Sequence, residues 1–187
     1  MIIGLLAKKR YGKDTVADYL VENYDFTKDA FANPIKEACG LLFGFSHEQL
    51  YGDSKEEIDP NWGITPRTVL QFVGTEVFRH DINKIIPNIG SNFWVNSFRA
   101  RFNNNVKNDK NFKVVIADVR FPNEVDEIHK MGGIVIKIER SGISNSDEHE
   151  SETSIDKIEN YDMLLENNGT IQDLYHKINT IMYNLKH

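Results

Sequence analysis

The sequence predicts an α/β protein with three layers, in which helices cover a central parallel sheet. Two observations lead to this fold class. Short, continuous apolar runs of the kind that form buried parallel strands recur at 1–7, 113–118 and 134–138. Longer stretches whose apolar residues repeat with helical spacing follow the first two of these runs, and a further helical stretch comes near the end of the chain after a polar loop and a weak strand. Alternation of the two patterns is typical of a parallel sheet with helices packed on it.

The other elements follow from local signals. Asn33-Pro34 and Thr65-Pro66 are both helix-start signals, in which a polar residue is the N-cap and proline takes the first helical position. Gly132-Gly133 predicts a helix end. The predicted helices are 12–23, one from Asn33-Pro34, one from Thr65-Pro66, one from Ser91, 123–131 and 170–185, with a weak strand at 163–166.

The 187 residues are enough for one well-packed domain, so the chain is predicted to form a single domain over 1–187. The long helical stretch at about 34–104 is then an insertion beside the sheet. Residues 103–111 and 141–154 are polar, and they predict a loop and a short lid. The acidic tract in 147–152 lacks the spaced ligands of a zinc site, which favours a solvated lid.

Composition narrows the class of ligand. The net charge of −6 argues against general nucleic-acid binding, but residues 1–13 carry four basic side chains and no acidic one. A local basic pocket in an acidic protein suits a small polyanion. No apolar run is long enough for a membrane helix, and the single cysteine, Cys39, fits a reducing cytoplasm. We therefore expect a cytoplasmic protein.

The segment from Ala7 to Thr15 predicts a phosphate-binding P-loop between the first strand and the first helix. Gly12-Lys13 supplies the glycine that lets backbone N–H groups turn towards a phosphate, and the lysine that reaches its oxygens. Ala7 stands where the motif has its first glycine, and Asp14 replaces the usual hydroxyl residue. Asp14 either holds Mg²⁺ or complements the helix dipole. Thr15 either bonds a phosphate or is a plain first-turn residue.

Asp118 and Arg120 form a second candidate group. Asp118 ends a predicted central strand, and ligands of open parallel sheets sit outside the carboxyl ends of the strands. An acid and a cation at that edge suit phosphoryl transfer, although a structural ion pair would show the same pattern. Glu124 either compensates the dipole of the next helix or orients Arg120. Arg140, at the end of another strand, is a further candidate phosphate contact.

The helix after Thr65-Pro66 carries a third group. Arg67, Gln71 and Gly74 fall on one helical face, on which a cation and an amide would read a phosphate and a base edge. Arg79 lies twelve residues beyond Arg67, on the same broad face. An exposed polar face gives the same spacing. Trp94 has the spacing of a core residue, with base stacking as the alternative.

Taken together, these motifs resemble the phage-type deoxynucleoside monophosphate kinases. The resemblance rests on Gly-Lys-Asp-Thr at 12–15, Asp118-x-Arg120-Phe-Pro-Asn-Glu124, the His-x-Ser-Glu at 149–152, the Thr65-Pro66-Arg67 helix and the Asn-Asn-Gly-Thr at 167–170. It implies a P-loop kinase fold with a helical substrate-binding insertion, and transfer of the ATP γ-phosphoryl to a deoxynucleoside monophosphate (dNMP).

The resemblance also implies residue roles. Lys13, Asp118, Arg120 and Glu124 would be catalytic, and Asp14 and Asp118 would bind Mg²⁺. The residues implied to bind ATP are Lys8, Tyr11, Gly12, Lys13, Asp14, Thr15 and Arg140. Those implied to bind the dNMP are Arg67, Gln71, Arg79 and Trp94.

Two alternatives stay open at the level of sequence. Phosphomevalonate kinases of the animal type share the Gly-Lys-Asp variant and an Asp–Arg strand end. A nucleotide-binding regulator without turnover is the other, and it would be favoured by strain at Ala7 if that position needs positive φ. Aromatic residues on the 91–102 helix, if exposed, would make a homodimer surface.

Overall fold

The structure, a computed structural model, describes residues 1–142 and 154–185 and confirms the predicted fold class. Five parallel strands form one sheet in the order β2-β3-β1-β4-β5. They are β1 (Ile2–Leu6), β2 (Thr27–Asp29), β3 (Val114–Val119), β4 (Ile134–Glu139) and β5 (Met163–Glu166). The sequence patterns missed β2, since it has only three residues and none is apolar.

Seven α-helices accompany these strands in the described part of the chain. They are α1 (Lys13–Tyr24), α2 (Asn33–Phe43), α3 (His47–Tyr51), α4 (Pro66–Phe72), α5 (Phe93–Asn108), α6 (Pro122–Lys130) and α7 (Ile171–Asn184). A π-helix, Val73–His80, continues α4 without a break. Short 3₁₀ turns at Asp53–Glu56, Asp81–Lys84, Gly90–Asn92 and Ser154–Lys157 complete the structure.

The chain divides into two compact units. Unit 1 comprises Met1–Ala30 with Arg101–His187, and unit 2 comprises Phe31–Ala100. Unit 2 overlaps the predicted insertion at about 34–104, while the single-domain interpretation stays a prediction. The predicted lid at 141–154 falls largely on residues 143–153, which lie outside the described residues.

Unit 1 contains the sheet and its three layers. Ile3 and Leu5 point to one face, where they join residues of α1 and α7 in the main core. Gly4 points to the other face, and a Cβ there would lie 2.5 Å from Cδ1 of Ile128 on α6. The small residue therefore lets α6 pack close to the central strand.

Unit 2 is helical and has its own aromatic core. The rings of Phe31 and Phe98 meet edge-on at 5.1 Å, and Trp94 contacts both Phe78 and Phe93. Trp94 and Phe98 are buried, so the exposed aromatic face that motivated the homodimer is not present on this helix. Dimerisation stays a prediction without that support.

Two local predictions were wrong. The N-cap of α2 is Ala32 and not Asn33, which is itself the first helical residue, and no side chain caps this helix. The segment 103–111 is not a loop throughout, because α5 runs on to Asn108. No glycine or proline interrupts this stretch, and the ring of Phe102 packs against that of Phe112 at 5.8 Å. Tertiary contact thus outweighs the weak helix propensity of the asparagines.

Candidate active site

The P-loop connects β1 to α1 at the carboxyl edge of the sheet. Gly12 is the N-cap of α1 in the left-handed region, with φ of 98°, and glycine has no side chain to satisfy the first N–H groups of the helix. Those N–H groups and the positive end of the helix dipole form a ready site for an anion. The loop therefore has the backbone geometry expected of a phosphate cradle.

The backbone at Ala7 is not strained, although strain was expected if this position, the first glycine of the motif, needed positive φ. Positive φ occurs in the loop at Arg10 (70°) and Gly12, and not at Ala7. The methyl group of Ala7 is 3% exposed and belongs to the main core. Alanine at this position is thus compatible with the backbone.

Lys13 and Asp14 lie in a network of four charged side chains that includes two residues not found from the sequence, Asp18 and Lys28. The ammonium group of Lys13 lies 3.2 Å from Oδ2 of Asp14. Lys28, on β2, lies 3.2 Å from Oδ1 of Asp14 and 2.8 Å from Oδ1 of Asp18. Both carboxylate oxygens of Asp14 therefore face a lysine.

These contacts shift two pKa values. Burial would raise the pKa of Asp14, but the charges of Lys13 and Lys28 outweigh burial and hold this pKa below its ordinary value. Burial would lower the pKa of Lys28, but its hydrogen bond to Asp18 and the charge of Asp14 outweigh that effect and raise it. Asp14 is thus an ionised carboxylate in the pH range where kinases work.

Asp118 lies one residue before the end of β3, beside the P-loop strand. Gly4 pairs with Ile116 and Leu6 with Val119, so two residues of β3, Ala117 and Asp118, face one residue of β1. Such a bulge redirects side chains and occurs often next to active sites. The irregularity brings Asp118 to the edge from which the P-loop begins.

Glu124 holds the loop after β3 in place. Its Oε2 accepts hydrogen bonds from the backbone N–H of Arg120 at 2.8 Å and of Phe121 at 3.1 Å. The side chain is 1% exposed, and it caps the first turn of α6. Its contacts are those of a residue that fixes the backbone of Arg120, as one of the two sequence interpretations had it.

Three predicted ATP-binding residues line one cavity of about 170 Å³ in unit 1. Lys8 and Tyr11 reach it from the P-loop, and Arg140 from the end of β4. Lys8 also forms a 2.6 Å ion pair with Asp156, which lines the same cavity. The structure thus brings these three residues together, and Thr15 lies in the first turn of α1 beside Asp14.

The loop after β5 contacts both neighbouring loops, and the sequence patterns gave it no role in the site. Nδ2 of Asn167 donates to the carbonyl of Tyr11 at 3.0 Å, and Oδ1 of Asn168 accepts from the N–H of Ser141 at 2.7 Å. Asn167 is 8% exposed. The Asn-Asn-Gly-Thr segment itself was the available signal, but its partners are distant in sequence.

The predicted dNMP-binding residues all lie in unit 2. Thr65 caps α4 by accepting a hydrogen bond from Thr68 N, with Pro66 next, as predicted. Arg67 is partly exposed, with Nη1 3.4 Å from Oε1 of Glu56, whereas Arg79 is buried at 9% exposure. The indole N–H of Trp94 donates to the carbonyl of Gly74 at 2.9 Å. Trp94 is 3% exposed, so its geometry supports the core interpretation over base stacking.

The π-helix changes how these side chains align. Along α4 and the π-helix that continues it, exposed residues recur every four positions, at Thr68, Phe72, Glu76 and His80. In an α-helix four residues turn by about 400°, so such a stripe would drift by about 40° each time. The i→i+5 pattern of the π-helix turns less per residue and reverses that drift. Arg67, Gln71 and Arg79 therefore stay aligned with one another, in a stripe next to the exposed one.

A family model for deoxynucleotide monophosphate kinase matches residues 1–55 and 42–178. The chain belongs to the deoxynucleotide monophosphate kinase family. It is 42% identical over 181 residues to a provisionally named deoxynucleotide monophosphate kinase of Acanthamoeba polyphaga mimivirus, covering 95% of this chain and 94% of that protein. The deoxynucleotide monophosphate kinase of Escherichia phage RB69 is 30% identical over 252 residues, with coverage of 97% and 99%.

Solved structures agree with this family at the level of fold. Dephospho-CoA kinase from Campylobacter jejuni superposes with a TM-score of 0.51 and 15% sequence identity, covering 98% of this chain and 96% of that one. This kinase-family member is thus an ATP-dependent phosphotransferase with a P-loop kinase fold, and its family phosphorylates deoxynucleoside monophosphates. Neither the phosphomevalonate kinase nor the regulator alternative is favoured.

Among the described residues, no helix has the length and apolar character needed to cross a membrane.

Proposed function

We propose that this chain transfers the γ-phosphoryl group of ATP to a dNMP, giving ADP and dNDP, at the carboxyl edge of the unit 1 sheet. The observation that carries the proposal is the arrangement at this edge. The uncapped N-terminus of α1 with Gly12-Lys13 follows β1, and Asp118 and Arg120 flank the end of the strand beside it. The family match supports the same reaction.

Charge and position would do most of the catalytic work. In-line phosphoryl transfer needs its charge neutralised and its reactants aligned, with little covalent chemistry by the protein. Lys13 would leave Asp14 and bind the β/γ-phosphates, while Arg120 would neutralise the transferring group. Glu124 would act as a positioning residue for Arg120. Because a dNMP phosphate is already anionic, Asp118 need not act as a base and would orient the acceptor.

The donor set at this edge fits Mg²⁺. This ion prefers oxygen ligands and is usually held by one or two carboxylates together with substrate phosphates. Asp14 and Asp118 are the carboxylates proposed to hold it. Asp14 has a lowered pKa and a 63% exposed side chain, so it offers an ionised and accessible oxygen. When bound, Mg²⁺ would neutralise charge on the β- and γ-phosphates.

The substrate side of the proposal assigns the dNMP to the helix face of unit 2 that bears Arg67, Gln71 and Arg79. Arg67 and Arg79 supply the positive charge that a phosphate needs, and Gln71 supplies an amide for a base edge. Trp94 supports this helix through Gly74. The substrate is a small molecule, and phage and viral relatives favour the host cytoplasm as the place of action.

The test is ADP release from ATP and Mg²⁺ with each of the four dNMPs, the ribonucleotides and phosphomevalonate. We expect turnover with at least one dNMP and none with phosphomevalonate. Lys13→Ala should reduce kcat/KM by about a thousandfold, since it removes a cation from the transition state. Lys110→Ala, an exposed lysine in the loop before β3, is the matched control and should leave kcat/KM unchanged.

Two outcomes would contradict the proposal. Failure of every nucleoside monophosphate to stimulate ADP release would reject the reaction. Full activity of Lys13→Ala would reject the P-loop assignment, even if the wild-type protein phosphorylates a dNMP.

A further inference from the structure

The side chain of Asn167 contacts the P-loop from the opposite end of the chain. Its Nδ2 donates to the carbonyl oxygen of Tyr11 at 3.0 Å, and its own N–H donates to the carbonyl of Glu139 at 2.8 Å. Asn167 is a buried polar residue of unit 1, at 8% exposure. The backbone bond fixes Asn167 beside the end of β4, and the side-chain bond directs its amide towards the P-loop.

The hydrogen bond to the Tyr11 carbonyl also fixes the direction of the Gly12 N–H. The Tyr11 carbonyl and the Gly12 N–H belong to one planar trans peptide, in which the two groups point in opposite directions. Because Asn167 holds the oxygen on its own side, the Gly12 N–H is directed away from Asn167. This N–H is one of those that a P-loop turns towards phosphate.

The close contact also explains the glycine itself. A Cβ at position 12 would lie 2.5 Å from Nδ2 of Asn167. We infer that Asn167 is a positioning residue for ATP, which sets the direction of the Gly12 N–H through the Tyr11 carbonyl. The inference deepens the proposed function and rests on the role of the P-loop in it.

The next residue provides a matched control. Asn168 uses its oxygen and not its nitrogen, because its Oδ1 accepts from the N–H of Ser141 at 2.7 Å. A carboxylate can accept that bond as well as an amide can, but it cannot donate one. Asn168→Asp therefore keeps its hydrogen bond. Asn167→Asp loses its bond and sets two acceptors against each other, with the same change in charge.

The experiment measures ATP affinity by calorimetry in the absence of an acceptor, together with KM for ATP and for the dNMP. Loss of the bond at Asn167 should weaken ATP binding by about tenfold, since the half-buried Tyr11 carbonyl loses the donor that orients its peptide. KM for the dNMP should stay within about twofold. Asn168→Asp should leave ATP affinity within about twofold. Asn167→Ala removes the donor without adding charge, and should weaken ATP binding as Asn167→Asp does.

The outcomes separate this inference from the proposed function. ATP affinity that is unchanged in Asn167→Ala, while Lys13→Ala abolishes binding, would overturn the positioning role alone. Equal increases of KM for both substrates would also overturn it, because they would indicate a general loss of structure. If Lys13→Ala also binds ATP normally, the P-loop assignment fails with it. Thermal unfolding identifies a misfolded Asn167→Asp, and Asn167→Ala then decides.

Discussion

Substitution of Gly12 by alanine tests the P-loop geometry most directly. Gly12 has φ of 98°, and an L-residue in the left-handed region costs about 1–2 kcal/mol. The new Cβ would also lie 2.5 Å from Nδ2 of Asn167. Relief of this contact moves the amide away from the Tyr11 carbonyl and sacrifices a hydrogen bond worth about 1 kcal/mol. We therefore expect Gly12→Ala to lower the free energy of unfolding by about 2–3 kcal/mol.

Gly132→Ala is the matched control in the same unit. Gly132 has φ of 75°, and no atom lies within 4 Å of the Cβ that alanine would add. The substitution imposes the same kind of backbone strain without the contact, so it should cost about 1–2 kcal/mol. Both variants gain equally from the stiffer unfolded chain, and this gain cancels in the comparison. The difference of about 1 kcal/mol isolates the contact with Asn167.

The assay is urea denaturation of both variants, with calorimetric ATP affinity measured in parallel. Gly12→Ala should also bind ATP more weakly, whereas Gly132→Ala should bind it normally. In the background of Asn167→Ala the contact is absent, so the cost of Gly12→Ala should fall by about 1 kcal/mol. Equal stability losses for the two glycines, with unchanged ATP affinity in both, would refute the reasoning.

Three further predictions concern other parts of the fold. Trp94→Phe removes the hydrogen bond that the indole N–H donates to the buried Gly74 carbonyl, costs about 1 kcal/mol and should raise KM for the dNMP but not for ATP in steady-state assays. Thr170→Ala removes the N-cap of α7 at about 1 kcal/mol of unfolding free energy. Thr170 also holds the pKa of Asp173 below its ordinary value, so this loss should be complete at neutral pH and shrink in acid as Asp173 protonates. Ala7→Gly should not improve ATP affinity, and denaturation should show a loss of about 0.5–1 kcal/mol.

Much of the fold could be predicted because its signals are local. The strands at 114–119, 134–139 and 163–166 are near-continuous apolar runs, and proline or glycine marks several helix ends. The errors have tertiary causes. β2 is recognised only by its pairing with β3, and the last turns of α5 are supported by Phe112. No helix-start or helix-stop signal in the sequence separates the π-helix from α4, so the change of helix type could not be predicted.

The candidate site was predictable within single segments and not between them. Gly12, Lys13 and Asp14 are adjacent in sequence, so one motif finds all three. Lys28 reaches Asp14 only because β2 joins the sheet, and Asn167 is 156 residues from Tyr11. Side chains of this kind need the topology before their partners can be named. The residue roles taken from the family resemblance stay predictions until the variants are measured.

The two departures from the P-loop motif have different physical explanations. Ala7 directly follows the first strand with its methyl group in the core, and positive φ falls instead on Arg10 and Gly12. Arg10 is exposed, so its left-handed backbone costs about 1 kcal/mol without a steric conflict. Gly12 faces Asn167, so a side chain at position 12 would add a steric conflict to the cost of the left-handed backbone. The loop thus requires glycine where φ is positive and another chain segment approaches the backbone closely, and the first glycine of the motif can be replaced because φ is not positive at position 7.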